Sequence, residues 1–559
     1  MRIALLQIDA NLAQPELNSK AIEAAYLEAI RLGADLAVAP ELAVPGYLPG
    51  DRLFELSLRQ SIESENRRLQ AIAGPTPLVF GTCSPAESGK LWNELWWCQE
   101  GRVVTKIQKT VLHNFGFYDE SRYFEPGLKS QKPVDYSGKR IGLAVGESIM
   151  SNFGDLVRNG ATLVINADAS TCGLGSYTPR GCRPTWAQPS KSAWRREQLF
   201  DLSKSFSIPI AYVNRVGADG SLLYDGESCL VLPDGTVQCA EVFEECVFMA
   251  DTDKKGRSWL DASNDEGAWL NKALVAGIKS CLHKMRIESL VVGLSGGIDS
   301  SVVASLAAMA IGPDKIFGAS LPTRFTSDES IRLARIQAKR LGIHHTQIDA
   351  DASFAGAVAS LRGVFPDRQF GLTDENLQSR CRGMLLMALT SEPATHKILG
   401  TESCAVLSTG NKSEAATGYF TLYGDGIGAL CPIGDLLKAR VYALAHELGD
   451  LVPEEIINRS PTAELRPNQT DESSLMPYRQ LDPILGALLE ANRPAESLHD
   501  DLSEVLDGQD LTEARRALPR VMKLIKNSEF KRRQLPHTLN VTQRWLWAGQ
   551  KVAPGAFDY

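Results

Sequence analysis

Residues 289–309, SLVVGLSGGIDSSVVASLAAM, constrain the fold more than any other stretch of this chain. An apolar strand runs to Leu294, a loop Ser295-Gly296-Gly297-Ile298-Asp299-Ser300 follows, and a small-residue helix opens at Ser301. Glycines let the backbone approach a polyanion, and the free N–H groups of a helix start favour negative charge. The hydroxyls of Ser295, Ser300 and Ser301 add donors for phosphate oxygens. Ionised Asp299 cannot donate to phosphate; its chemistry suits a Mg²⁺ ion that neutralises the phosphates. No lysine follows the glycines, so this is not the G-x-x-x-x-G-K-[ST] loop.

With 559 residues the chain exceeds a single hydrophobic core, and two large domains are expected. A polar stretch, DTDKKGRSWLDASNDEG (251–267), separates the halves. The expected division is a domain over 1–250, a linker over 251–264 and a second domain over 265–559. The first half alternates strand-like runs (RIALLQI, DLAVAPEL, TPLVFGT, RIGLAVG, TLVINAD) with amphipathic segments, including a helix from about Asn18 to Leu32. The second half opens with a helix from about Ala268 to Met285 and continues with strand and helix in turn, including a helix over 328–341. Both halves read as layered α/β structure.

A net charge of −8 offers no basic footprint for nucleic acid. The N-terminus lacks a signal-peptide pattern, and no run of about 20 apolar residues suits a bilayer span. A cytoplasmic enzyme acting on small molecules, without nucleic-acid or membrane partners, is expected. Eleven cysteines without a C-x-x-C pair and eight histidines without H-E-x-x-H favour reduced thiols over disulfides or a transition-metal site.

The SGGIDS loop resembles that of the ATP pyrophosphatases, which cleave ATP between the α and β phosphates and adenylate a carbonyl or carboxyl oxygen. Five further segments, LPTRFTSDES (321–330), GLTDENLQSRCRGMLLMAL (371–389), STGNKSEAATGYFTLYGDG (408–426), CPIGDLLKARVYALA (431–445) and EFKRRQLP (529–536), look like the successive signatures of NAD synthetases. The resemblance implies a doubly wound parallel sheet of the adenine nucleotide α-hydrolase kind. It also implies an ATP-dependent carbon–nitrogen ligase that converts deamido-NAD to NAD, AMP and pyrophosphate with Mg²⁺. By resemblance, Asp299 and Glu414 are catalytic and hold the metal. Ser295, Gly296, Gly297, Asp299, Ser300, Ser301, Arg324, Thr409 and Lys438 are the ATP contacts, and Asn376, Glu414 and Lys531 bind deamido-NAD. The segment THKILGTESCA (395–405) is longer than the family's usual spacing and is expected to be a surface excursion.

The first half resembles the nitrilase-type amidase domain of two-domain NAD synthetases, through RIALLQIDANL, PELAVPGY, KTVLHNFGFYDESRYFEPG, RIGLAVGESI, GATLVINADAS and YVNRVGADGSLLYDGES. An α/β/β/α sandwich is implied, with Glu41 as general base and Lys109 as the oxyanion-stabilising lysine. The family's nucleophilic cysteine aligns with Gly146, its neighbouring aspartate with Ser148, and an aromatic with Met150. The expectation is therefore a degenerate glutaminase half, with free ammonia as nitrogen donor from an external source. Against it stands glutamine use through a rescue cysteine, Cys172 or Cys182, or through a partner glutaminase. The resemblance further implies a homo-oligomer, from dimer to octamer.

Overall fold

The computed structural model describes residues 1–115, 118–128, 132–179, 182, 184–258, 265–467, 469 and 475–544. The chain divides into two compact units, one of residues 1–172 and 191–264 and the other of 173–190 and 265–559.

The first unit contains two large sheets. One has six strands in the spatial order Cys246–Asp251, Arg2–Gln7, Leu36–Val38, Leu78–Pro85, Leu91–Gln99 and Arg102–Gln108. The other has seven, and at its centre the strands Lys139–Val145, Leu163–Asp168 and Ile210–Asn214 run parallel. Period-two alternation decides what each face meets. Ile3 and Leu5 join Ile141, Leu143, Val145, Leu163, Ile165 and Val213 in a core between the sheets. Ala4 and Leu6, one residue out of phase, face an outer layer with Ile22, Tyr26 and Ala29 of the helix Pro15–Arg31 and Ile62 and Leu69 of the helix Leu56–Ile72. On the opposite side, Ala144 and Val164 pack with Ile149, Phe153 and Leu156 of the helix Ser148–Arg158 and Leu199 of Lys191–Phe206. This is the α/β/β/α sandwich that the resemblance implies.

The second unit is built on a six-stranded, wholly parallel sheet. Its order is His344–Gln347, Ile316–Ser320, Ser289–Gly293, Cys404–Leu407, Leu430–Cys431 and His537–Thr538. Strand order reverses between Ser289–Gly293 and Cys404–Leu407, and ligands of open parallel sheets bind beyond the carboxyl ends of strands at such a switch point. The flanking helices carry explicit ends. Ser327 caps Asp328–Leu341 by accepting from the Ser330 N–H, acidic residues fill its first turn, basic residues its last, and Gly342 follows. Asp265 caps Glu266–Met285 through the N–H groups of Gly267 and Ala268.

Two features depart from a simple boundary at residue 250. Arg257–Ser258, read as linker, is a short strand paired with Thr236–Val237, while 259–264 lie outside the described residues. Residues 173–190 leave the first unit's chain segment and belong to the second unit. They are tied there by a buried charge network: Arg440 Nη2 donates to Gly175 O at 2.8 Å, and the Tyr177 N–H donates to Glu490 Oε2 at 2.8 Å. Glu490 also pairs with Arg440 and Lys412, and Lys412 with Asp435, each at 2.9 Å. Within the long segment 395–405, the helix Pro393–Leu399 ends at Gly400, and Leu399 is buried against Val291, Phe317 and Val406. It therefore caps the sheet's apolar layer and is not a free surface excursion.

Candidate functional site

A cavity of about 400 Å³ lies in the second unit at the switch point. It brings together residues from every signature segment: Ser295, Gly297, Asp299 and Ser300 from the glycine loop, then Asn376, Thr409, Glu414, Lys438 and Lys531. The helix Ile298–Ile311 begins at this cavity, and no side chain caps its start. Its first-turn N–H groups therefore supply partial positive charge where a polyphosphate would lie. Gly296 sits at φ +76, and a Cβ there would come within 2.4 Å of the Ser330 carbonyl oxygen.

Three candidates stand elsewhere. Gly296 is not among the lining residues, and the Ser330 backbone occupies the space beside its Cα. Ser301 donates its hydroxyl to Gly297 O at 2.9 Å, a bond within its own helix start. Arg324 pairs with Asp351, its Nε and Nη2 donating at 2.9 and 2.8 Å, and does not line the cavity.

The acidic centre of the cavity is organised around Lys438. Its ammonium pairs with Asp299 and lies 3.6 Å from Glu414 Oε1. Glu414 is positioned by a reciprocal cap: Asn411 Oδ1 accepts from the Glu414 N–H at 3.0 Å, and Glu414 Oε2 accepts from the Asn411 N–H at 3.1 Å. Asn411 Nδ2 also donates to Asp299 at 3.2 Å. Two carboxylates thus converge on one cation position, a donor set that suits Mg²⁺, which takes one or two carboxylates and completes its shell with water and substrate phosphates. Lys531 donates to the Gly418 and Phe420 carbonyls at 2.9 and 2.8 Å, and burial lowers its ammonium's affinity for the proton. Asn376 Oδ1 accepts from Thr421 Oγ1 at 2.9 Å.

Sequence reading missed Arg382. It lines the cavity and donates to Leu321 O at 3.0 Å and to the hydroxyls of Thr323 and Thr326. All these acceptors are neutral, and burial holds its pKa below the usual guanidinium value. The residue lies inside ENLQSRCRG, where one arginine among several gives no sign of which faces inward.

The first unit holds a second site. Lys109 Nζ donates at 2.8 Å to Glu41 Oε1 and at 2.8 Å to Glu120 Oε1, all three side chains being buried. Asn93 Nδ2 donates to the same Glu41 oxygen at 2.6 Å. Glu120 gains two more donors, the Tyr47 hydroxyl at 2.7 Å and the His113 N–H at 2.8 Å. The shared ammonium therefore serves unequal carboxylates. Burial raises Glu41 to about 7 against the pull of Lys109, helped by the Glu120 and Asp168 charges. Glu120 is also buried, yet Lys109 and its extra donors hold it below the usual range. Burial would lower Lys109, but the two carboxylates outweigh it and raise it. Neither Asn93 nor Glu120 stands out in the sequence, because only the fold brings them to Lys109.

Gly146 closes the strand Lys139–Val145 at φ +56, directly before the helix Ser148–Arg158. A Cβ on it would lie 3.1 Å from both Glu41 Oε2 and Lys109 Nζ. Position 146 is thus the elbow that faces the base and the lysine. Ser148 accepts the N–H groups of Thr110 and Val111 at 3.0 Å each, so the strand end after Lys109 stays tied to the elbow. Cys172 is buried, and burial together with the Asp225 charge pushes its thiol well above the ordinary value, away from the reactive thiolate. Cys182 belongs to the second unit and packs in an apolar cluster there.

Among the described residues no helix is long and apolar enough to cross a membrane. Residues 2–260 match the carbon-nitrogen hydrolase family model, and residues 270–535 match the NAD synthase model. A glutamine-dependent NAD(+) synthetase of Synechocystis is 33% identical over 98% of this chain and 98% of its own length. One of Xanthomonas campestris is 33% identical over 97% and 95%. A solved structure, a glutamine-dependent NAD+ synthetase of Acinetobacter baumannii in complex with adenosine diphosphate, superposes at a TM-score of 0.73 with 28% identity, over 100% of this chain and 99% of that one. These relatives correct the expectation of a degenerate, ammonia-supplied member, since both halves are matched end to end in proteins named for glutamine dependence. Residue 146 is a glycine all the same, so a thiol borne there is not the group that opens an amide. The chain is an ATP-dependent carbon–nitrogen ligase and belongs to the family of glutamine-dependent NAD(+) synthetases.

Proposed function

We propose that the chain amidates deamido-NAD to NAD, spending ATP to AMP and pyrophosphate, with nitrogen drawn from the side-chain amide of glutamine. The observation that carries this reading is the end-to-end similarity to relatives of that name, at 33% identity over 98% of both chains. A nicotinate carboxylate is a poor electrophile, and adenylation converts it to a mixed anhydride that ammonia attacks with AMP as leaving group. Such a site contributes mainly positioning and charge stabilisation.

In this reading the loop Ser295–Ser300 and the start of Ile298–Ile311 cradle the ATP phosphates, with Thr409 and Lys438 beside them. Asp299 and Glu414 would hold Mg²⁺, which would supply charge neutralisation at the phosphates. Lys438, which pairs with Asp299 and lies 3.6 Å from Glu414, would be available to a phosphate oxygen were those carboxylates to hold the metal. Asn376 and Lys531 orient deamido-NAD. Arg382 adds a cation in the same wall, while Arg324 pairs with Asp351 outside the cavity lining. The first unit binds glutamine beside Glu41 and Lys109 and releases ammonia.

Steady-state assays of the purified chain test this, with deamido-NAD, ATP and Mg²⁺ and either glutamine or ammonium as donor. NAD formation from glutamine with stoichiometric AMP and pyrophosphate is expected. NAD formed from ammonium but none from glutamine would overturn the glutamine reading, and no NAD from either donor would overturn the ligase reading. Sedimentation of the same sample reports whether the chain assembles as a homo-oligomer.

A further inference from the structure

The helix Lys438–Glu447 starts without a cap of its own: Leu437, the residue before it, offers no side-chain acceptor to the free N–H groups of the first turn. Those groups find acceptors elsewhere. The Lys438 N–H donates to Ser413 Oγ at 2.9 Å, and the Ala439 N–H donates to Asp482 Oδ2 at 2.7 Å. Ser413 in turn donates its hydroxyl to Asp482 Oδ1 at 2.6 Å. One carboxylate thus holds two helix starts, one oxygen to each, at residues next in sequence to Glu414 and to Lys438. The Lys438 ammonium also lies over the ring of Tyr478, 5.3 Å from its centroid. Tyr478 and Asp482 stand one turn apart on the helix Tyr478–Leu485, so one helix face meets Lys438 at its ammonium and at the peptide that follows it.

Packing does not require a carboxylate at 482. Leu481, Ile484 and Leu485 of the same helix are buried in an apolar cluster with Leu498, Leu502 and Ile525. An apolar side chain at 482 would carry no desolvation cost, whereas a fully buried carboxyl does unless its oxygens are matched by donors. Burial pushes the Asp482 carboxyl up to about 7, against the pull of the Ser413 hydroxyl, the Ala439 N–H and the Lys438 charge. The donors that match it are the ones beside the two charged groups of the cavity.

We infer that Asp482 is a positioning residue of the ligase site, fixing where Lys438 and Glu414 stand relative to each other by clamping the starts of the two helices that carry them, Lys412–Thr417 and Lys438–Glu447. The inference rests on the reading above that places Lys438 and Glu414 at the ATP phosphates. Asp482 does not line the cavity and acts only through its neighbours. Without it the two helix starts lose their common acceptor, and a misplacement of about 1 Å in groups that must meet a transferring centre lowers the rate by about 10²-fold. In Asp482→Asn the amide oxygen can accept from the Ala439 N–H while the amide nitrogen donates to Ser413 Oγ, so the clamp is kept without the charge.

The test measures deamido-NAD-dependent exchange of pyrophosphate into ATP by the full chain, ATP affinity by calorimetry, and the melting temperature. Asp482→Ala is expected to lower the exchange rate at saturating substrates by about 10²-fold. Its ATP affinity, which needs no turnover to read, should weaken by about tenfold, the loss of one charged contact. Asp482→Asn should recover about tenfold or more of the lost rate, since it keeps both bonds. Ile484→Ala, which opens a cavity in the apolar cluster, should lower the melting temperature as far while leaving exchange within about twofold. Ser413→Ala removes the Oδ1 arm and the acceptor of the Lys438 N–H, so its slowed exchange decides the matter even where Asp482→Ala does not fold. Lys438→Met and Glu414→Gln run beside these variants. Unsubstituted rates in both would sink their placement at ATP, whereas their loss together with full exchange in Asp482→Ala would sink the clamp alone. Full exchange in Ser413→Ala, no recovery in Asp482→Asn, unchanged ATP affinity in Asp482→Ala, or an equal loss of exchange in Ile484→Ala would each overturn the inference.

Discussion

Glu41 Oε1 and Lys109 Nζ form a buried ion pair at 2.8 Å, and the same ammonium reaches Glu120 Oε1 at the same distance. Removing the lysine would leave two carboxylates facing each other without a counter-charge. Breaking such a pair at one partner costs about 3–5 kcal/mol, because the remaining charge stays buried. Lys109→Met is therefore expected to lower the melting temperature of the first unit, at about 2–4 °C per kcal/mol. Calorimetry checks this; a melting point within a degree of the unsubstituted chain would show that the triad is not coupled to folding.

The same triad gives stability a pH dependence. Glu41 is raised from 4.5 to about 7 in the fold, so between those values the folded state holds a proton that the unfolded chain has released. Stability from this group is present below about 4.5 and is lost as pH rises to about 7. Glu120 runs the other way: its lowered carboxyl stabilises above 4.5, and that contribution is lost as pH falls through its folded value. In Glu41→Gln the decline between 4.5 and 7 should flatten, read from urea midpoints across that range. An unchanged slope would place the titration elsewhere.

Much of this architecture was legible in the sequence, for local reasons. The helix expected over 328–341 is Asp328–Leu341, because Ser327 and Gly342 mark its ends in the chain itself. The strand and glycine loop around residue 295 declare themselves by composition. Glu120 and Asn93 could not be chosen from sequence, since each meets Lys109 only through sheet and loop topology. Residues 173–190 follow a first-half strand, yet Arg440 and Glu490, far along the chain, capture their backbone for the second unit. The pairing of Arg324 with Asp351 is not legible in the sequence, since the two lie 27 residues apart and meet only in the fold. The expectation of free ammonia follows from Gly146, and it is the glutamine-dependent relatives matched over both halves that overturn it.

Asp299 faces the cavity beside Glu414 and is only partly buried, so a neutral substitute should leave the fold intact. Asp299→Asn is expected to reduce Mg²⁺-dependent exchange of pyrophosphate into ATP by about 10²–10³-fold, the range for losing one preorganised electrostatic group. Raising Mg²⁺ should recover part of the loss. Exchange at the unsubstituted rate would exclude Asp299 as a metal ligand.

Arg382, in the cavity wall, donates to neutral acceptors, the Leu321 carbonyl and the Thr323 and Thr326 hydroxyls. An anionic substrate would give the guanidinium a charged partner, with hydrogen bonds worth about 1.5–3 kcal/mol. Arg382→Met is expected to raise the KM for ATP or deamido-NAD by about 10–100-fold, with the larger effect on the substrate it touches. A fall in kcat with both KM values unchanged would assign the residue to the transition state instead.

Gly296 and Gly342 share a left-handed backbone, at φ +76 and +71, but differ in what lies beyond the Cα. At 342 an added methyl meets nothing within 4 Å, so Gly342→Ala measures left-handed strain alone. At 296 the methyl would come within 2.4 Å of Ser330 O, a backbone atom in the first turn of a capped helix that cannot swing aside as a side chain would. Left-handed strain costs about 1–3 kcal/mol wherever it occurs. Gly296→Ala must add a displacement of the phosphate loop to that cost. The expected outcome is similar modest destabilisation in both variants, with a rise of tenfold or more in KM for ATP confined to Gly296→Ala. Equal kinetics in the two would mean that the loop is free to shift without losing its grip on phosphate, and that the close approach to Ser330 is not what sets its shape.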